Sequence, residues 1–167
     1  MTKINENFLF KVYYKPLQAI YDVISLNCLV QDNILVLHNK TPMQVKWSDC
    51  VILRPTSKRD KRKRLLYEGD IVKLTRASET SDNSQEYIGY IKWFEEFSSL
   101  GVKTFGQIPT AFALDNLITK IEYIGNIYTD QETYKLIRNR NNFKHLMKSL
   151  KEAENDELIE LREYLDD

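Results

Sequence analysis

Leu66-Tyr67-Glu68-Gly69-Asp70-Ile71-Val72-Lys73-Leu74 decides the fold. Gly69 can take a positive φ without a Cβ clash, and the Asp70 side chain can bond nearby amides. Tyr67-Glu68-Gly69-Asp70 therefore reads as a tight turn into the apolar strand Ile71-Val72-Lys73-Leu74. Downstream, the polar Ala77–Glu86 stretch reads as a hairpin loop and Tyr87–Phe94 as the returning strand. After a stretch of weaker pattern, Ile118–Ile124 alternates as a closing strand, and Gly125-Asn126 is expected to form a turn or bulge near a strand end.

Upstream, the first 55 residues also read as strands. Phe8–Tyr14 is aromatic and β-branched and is stopped by Pro16; Leu17–Leu29 mixes helical and strand spacing. Gln31-Asp32-Asn33 is a polar turn leading to Ile34–Leu37, and Thr41-Pro42 punctuates before Gln44–Trp47 and Val51–Leu53. No internal repeat is visible. Thr129-Asp130-Gln131-Glu132 has the spacing of a capping box, and beyond it Leu136, Phe143 and Leu150 recur every seven residues with Leu146 and Met147 on the same side. This predicts an amphipathic helix from about Asp130 to about Lys151, with a second helix or a bent continuation beyond it. Strands followed by helix indicate an α+β fold: an antiparallel β-barrel-like domain, SH3-like or a strongly bent sheet, over 1–128, then a helical arm over 129–167.

Composition narrows the function classes. The 167 residues carry 24 basic and 24 acidic side chains, so no global field draws the chain onto nucleic acid or an anionic membrane. Locally, Lys58, Arg59, Lys61, Arg62, Lys63 and Arg64 surround the single Asp60, while residues 152–167 are acidic. The basic run reads as a phosphate-contacting loop, a solvated hairpin tip, or a dock for an acidic protein surface, this chain's own tail included. Tyr67 is the one aromatic near it, which weakens a case for base stacking. No apolar run approaches the roughly 20 residues of a membrane span and no signal pattern opens the chain, so a soluble intracellular protein is expected.

Catalytic signals are sparse. His38 and His145 have no recognisable nucleophile or metal partner nearby, although the two could meet in space. Cys28 and Cys50 lack ligand spacing and read as reduced, partly buried thiols; Gly101 and Gly106 precede no phosphate-loop Lys. No cofactor, metal or catalytic residue is expected.

Leu66–Lys73, together with Ile124-Gly125-Asn126-Ile127-Tyr128, resembles the YopX family of phage and prophage proteins, in which a "YEGDIV" turn-strand precedes an "IGNIY" closing strand. Leu53–Asp60 stands where that family has a "tGl.D" stretch, and Tyr87–Trp93 is similar to its middle strand. The similarity runs over 66–128, is weak before Arg64 and is absent from the tail. It implies a phage-derived, β-barrel-like and often oligomeric domain with no catalytic residues to transfer, in which Tyr67, Glu68, Gly69, Asp70, Gly125 and Asn126 serve the scaffold. The basic run departs from the milder, Gly-containing turn usual there.

These readings converge on an accessory protein of the bacterial host cytoplasm that binds a host or phage protein; interference with a bacterial defence or replication factor would suit that origin. Leu136, Phe143, Leu146, Met147 and Leu150 are its candidate oligomerisation stripe. A nucleic-acid-binding module using 58–64 is the alternative, and an unrecognised enzyme the third.

Overall fold

The computed structural model describes residues 10–27, 32–77, 84–105 and 111–139. Strands dominate. They are β1 (Lys11–Tyr14), β2 (Ala19–Asn27), β3 (Asn33–His38), β4 (Thr41–Lys46), β5 (Cys50–Leu53), β6 (Pro55–Arg59), β7 (Leu65–Tyr67), β8 (Asp70–Ala77), β9 (Ser84–Phe94), β10 (Ser99–Thr104), β11 (Ala111–Ala113) and β12 (Ile118–Asn126). Among the described residues one short helix, α1 (Gln131–Arg138), follows. All pairings among the described residues are antiparallel, as alternating patterns joined by short polar turns favour. The ambiguous Leu17–Leu29 segment is strand from Ala19 to Asn27.

The strand order contains a repetition that the sequence does not display. The first sheet runs β4-β3-β2-β1-β5 and the second β11-β10-β9-β8-β12. Each is a meander of four strands whose fifth returns to pair with the first. In the first unit β4 reaches β5 through a 3₁₀ turn, Trp47–Asp49. In the second, β11 reaches β12 through a turn in which the Leu117 N–H donates to Asp115 Oδ1 (3.0 Å). Neither sheet closes: β4 and β5 remain the edges of one, β11 and β12 of the other. The expected barrel is thus two open antiparallel sheets, linked by the two-stranded β6–β7 ribbon.

Both faces of the second sheet are covered. Val72, Leu74, Ile91, Val102 and Ile121 pack with Leu66 of the ribbon on one face. Ile71 and Ile88 meet Ile137 of α1 on the other, with Tyr90, Phe105 and Tyr134 around them. In the first unit Val12, Val23, Ile34, Val36 and Val45 of β1–β4 form the core, with Cys50 and Ile52 of β5 packed against it. Val12, Ile34 and Val36 are fully buried there. Its opposite face meets the ribbon and the start of the C-terminal part: Tyr13 and Leu53 pack with Tyr67, Leu65 and Tyr128, and the Tyr13 and Tyr128 rings stack at 4.9 Å.

The capping box does not form. Asp130 rather than Thr129 is the N-cap, and no side-chain cap bond closes on the helix. Asp130 Oδ2 instead accepts from the Asn126 N–H (2.7 Å) and the Thr129 hydroxyl (3.0 Å), so the carboxylate fixes the strand end. α1 stops at Arg138, because Asn139 leaves helical dihedrals (φ −80°, ψ 110°). The expected continuation to Lys151, with Phe143, Leu146, Met147 and Leu150, lies outside the described residues.

The opening turn behaves as its sequence requires. Gly69 has φ +88°, and a Cβ there would stand 2.9 Å from Tyr128 Cε2. Gly69→Ala is expected to cost about 2 kcal/mol, combining left-handed strain with displacement of the Tyr128 ring. Urea unfolding of the variant checks this; an unchanged midpoint would contradict the turn geometry.

Candidate functional site

The motif residues come together as a hub. Asp70, only 2% exposed, accepts from the Tyr67 N–H through Oδ2 (2.8 Å) and from Asn126 Nδ2 through Oδ1 (3.0 Å). Asn126 Oδ1 in turn accepts from the Tyr128 N–H (3.0 Å), and the Gly69 carbonyl from the Ile127 N–H (2.9 Å). On the other side of the turn, Glu68 Oε1 accepts from the Trp93 N–H (3.2 Å), while Arg54 lies over the Trp93 ring (4.7 Å). Register shifts between Tyr123 and Gly125, the bulge expected near Gly125-Asn126. Every polar atom named here holds backbone or a neighbouring side chain, so the arrangement joins β8, β12 and the approach to α1.

Burial pushes the Asp70 carboxyl above its ordinary range, against the opposing pull of its two hydrogen bonds and of Arg64 and Lys11. The sign follows. Between the unfolded pKa, about 3.9, and the raised folded value, the folded chain binds the extra proton, so this group lowers stability as pH rises through that window. Asp70→Asn should remove that descending contribution, giving a stability–pH curve that differs from wild type in slope above about pH 4. Parallel slopes would refute the assignment.

The basic run is built into the scaffold. Lys58 and Arg59 lie in β6, and Lys61 to Arg64 turn the chain into β7. Asp60 organises the turn: its Oδ1 accepts from the N–H groups of Arg62 (2.9 Å) and Arg64 (2.8 Å). The Lys61 N–H donates to the Ile121 carbonyl (3.1 Å) and its Nζ pairs with Glu122 (3.0 Å), so the turn lies along edge strand β12. Arg64 sits 3.4 Å over the Tyr123 ring, Arg59 donates to the Lys63 carbonyl (2.8 Å), and Lys58 to the Asp115 carbonyl (3.2 Å). Lys63 is exposed in a left-handed conformation. Burial raises the Tyr123 phenol, with Arg64 opposing. A cavity of about 390 Å³ opens here, lined by Asp60, Lys61, Arg62, Arg64, Glu122 and Tyr123. Two carboxylates among three cations make it nearly balanced, unlike a loop built only for phosphate. Asp60→Ala should destabilise the fold by about 1–2 kcal/mol, since two amides lose an acceptor; chemical denaturation reads the change, and no loss would show the turn to be held otherwise.

Sequence reasoning missed the exposed apolar side chains of the first unit. Lys15 Nζ donates to the Ser48 carbonyl (3.0 Å), tying the β1–β2 turn to the Trp47–Asp49 turn. Leu17 on one and Trp47 on the other are 54% and 37% exposed. Ile24 and Leu37 are 48% and 40% exposed on β2 and β3. A lone Trp among Lys46, Ser48 and Asp49 is the signal that was available. In α1, Ile137 is buried while Leu136, the one described member of the proposed stripe, is exposed.

His38 is half-buried beside the Tyr21 ring (5.4 Å), and Cys50 is a free thiol whose pKa burial raises; His145 and Cys28 lie outside the described residues. Among the described residues no group of three His, Cys, Asp or Glu side chains is placed to hold a metal ion, and no helix is long and apolar enough to cross a membrane. No protein-family model matches the chain, and no curated protein matches it.

Proposed function

We propose that this chain is a non-enzymatic, YopX-like accessory protein of phage or prophage origin that acts in the bacterial cytoplasm by binding a protein. The first unit is the recognition module: an open, SH3-like sheet in which a four-strand meander leads through the 3₁₀ turn to a fifth strand that returns to β1. One observation carries the reading: Leu17 and Trp47 are both exposed, on two turns that the Lys15–Ser48 bond joins. An exposed tryptophan is the residue type most enriched at protein-binding hot spots, and Leu17 adds apolar surface on the turn joined to it.

The basic turn supports a second reading, nucleic-acid contact through Lys61, Arg62 and Arg64 at the 390 Å³ cavity. It is the weaker one, because Asp60 and Glu122 line the same cavity and would repel phosphate.

Affinity capture from a bacterial host lysate, with and without nuclease, separates the two. A protein should remain bound after nuclease, and Trp47→Ala should weaken its binding roughly 30-fold, equivalent to about 2 kcal/mol at a hot-spot residue. Binding that vanishes with nuclease and with charge reversal at Arg62 and Arg64, while ignoring Trp47, would replace this reading with the second.

A further inference from the structure

The repeated connectivity makes the two units comparable face by face. In the second unit α1 covers the face that carries Ile71, Ile88 and Tyr90 on the first two strands of the meander. The corresponding strands of the first unit are β1 and β2, where the face opposite the core carries Tyr13, paired with Ile20, and Lys11, paired with Asp22. The next strand adds Leu37, which stands opposite both Asp22 and Pro42. Among the described residues only part of this face is covered, by Tyr67 and Tyr128 at the β1–β5 side. Toward β2 and β3 Leu37 is exposed, as is Ile24, the extra residue at the register shift between Val23 and Ser25.

We infer that this open face is the docking site of the chain's own C-terminal segment, with Phe143, Leu146, Met147 and Leu150 lying as a short helix across β1, β2 and β3. Three observations carry it. The equivalent face of the second unit is already covered by an amphipathic helix of the same chain. The segment beyond Asn139 has apolar residues at i, i+3, i+4 and i+7, the pattern of a helix with one buried side. The distances also suit. Tyr128, stacked on this face at Tyr13, is separated from Gln131 by only two residues, and the eight-residue α1 is about 12 Å long. Four residues from Asn139 to Phe143 span up to roughly 13 Å, enough to return. A helix from Phe143 to Leu150, about 12 Å long, then covers three strands set roughly 4.8 Å apart. Its polar side carries Lys144 and Lys148, and the face is bordered by Asp22, whose side chain is 55% exposed while paired with Lys11 at 3.4 Å.

The test uses the full chain with a photo-cross-linking amino acid in place of the exposed Leu37. Irradiation at low protein concentration followed by peptide mapping should join position 37 to the peptide containing residues 143–150, within a single chain. Adding Leu146→Asp and Leu150→Asp should reduce that product at least tenfold while the thermal unfolding midpoint of the remainder stays cooperative. Cross-linked products of twice the chain mass would assign the face to a second copy, and cross-links elsewhere, or none, would overturn the docking outright. None of these outcomes depends on Trp47 or on the capture of a host protein.

Discussion

The buried bond between Asp70 and Asn126 joins positions 56 residues apart, and the second unit depends on it. A carboxylate removed from water is tolerated only when its lone pairs are met, and here a backbone amide and a side-chain amide meet them. Asn126 passes the constraint on to Tyr128, whose ring reaches the first unit at Tyr13. One buried polar contact thereby fixes where β12 ends, where the chain turns toward α1, and how the C-terminal part meets the first sheet.

The same economy appears in the ribbon. β7 is three residues long, and its alternation sends Leu66 into the core of the second unit while Leu65 and Tyr67 face the first. Its turn, charged as it is, lies against β12 through a backbone bond and an ion pair and so covers an otherwise open edge. A run of cations that looks like a ligand-seeking loop in the sequence is in large part occupied with its own scaffold.

Local chemistry was the legible part of this chain. Gly69 at positive φ, the Asp70 side chain on a nearby amide, and the bulge at Gly125 follow from residue type and spacing, and the structure has each of them. The partner of Asp70 was not legible, because nothing local connects it to Asn126. The repeated meander was hidden for a related reason: connectivity constrains only alternation and turn positions, so two units share a strand order without sharing residues. One turn was reused visibly in conformation but not in sequence. Lys15–Gln18 and Glu95–Ser98 end in nearly identical left-handed dihedrals (48°, 40° and 47°, 39°) while joining different strands of their respective units. The capping box failed because Asp130 holds the Asn126 amide at the strand end, and the Thr129 hydroxyl donates to that same carboxylate instead of capping the helix. Exposed Trp47 was missed because exposure is set by what fails to pack on a residue, a property of the whole fold.

The returning fifth strand has a consequence for synthesis. β5 can pair with β1 as soon as Leu53 has emerged, so the first unit can close early. β8 has its hairpin partner β9 soon after, but its other edge waits for β12, which begins at residue 118. At roughly 5–20 residues per second, that edge stays unpaired for several seconds. During this interval the nascent chain presents an apolar strand with free amides on one side, next to a finished unit and a strongly cationic turn. Like charges on neighbouring nascent chains repel, and the turn that later lies along β12 can in the meantime keep such edges apart.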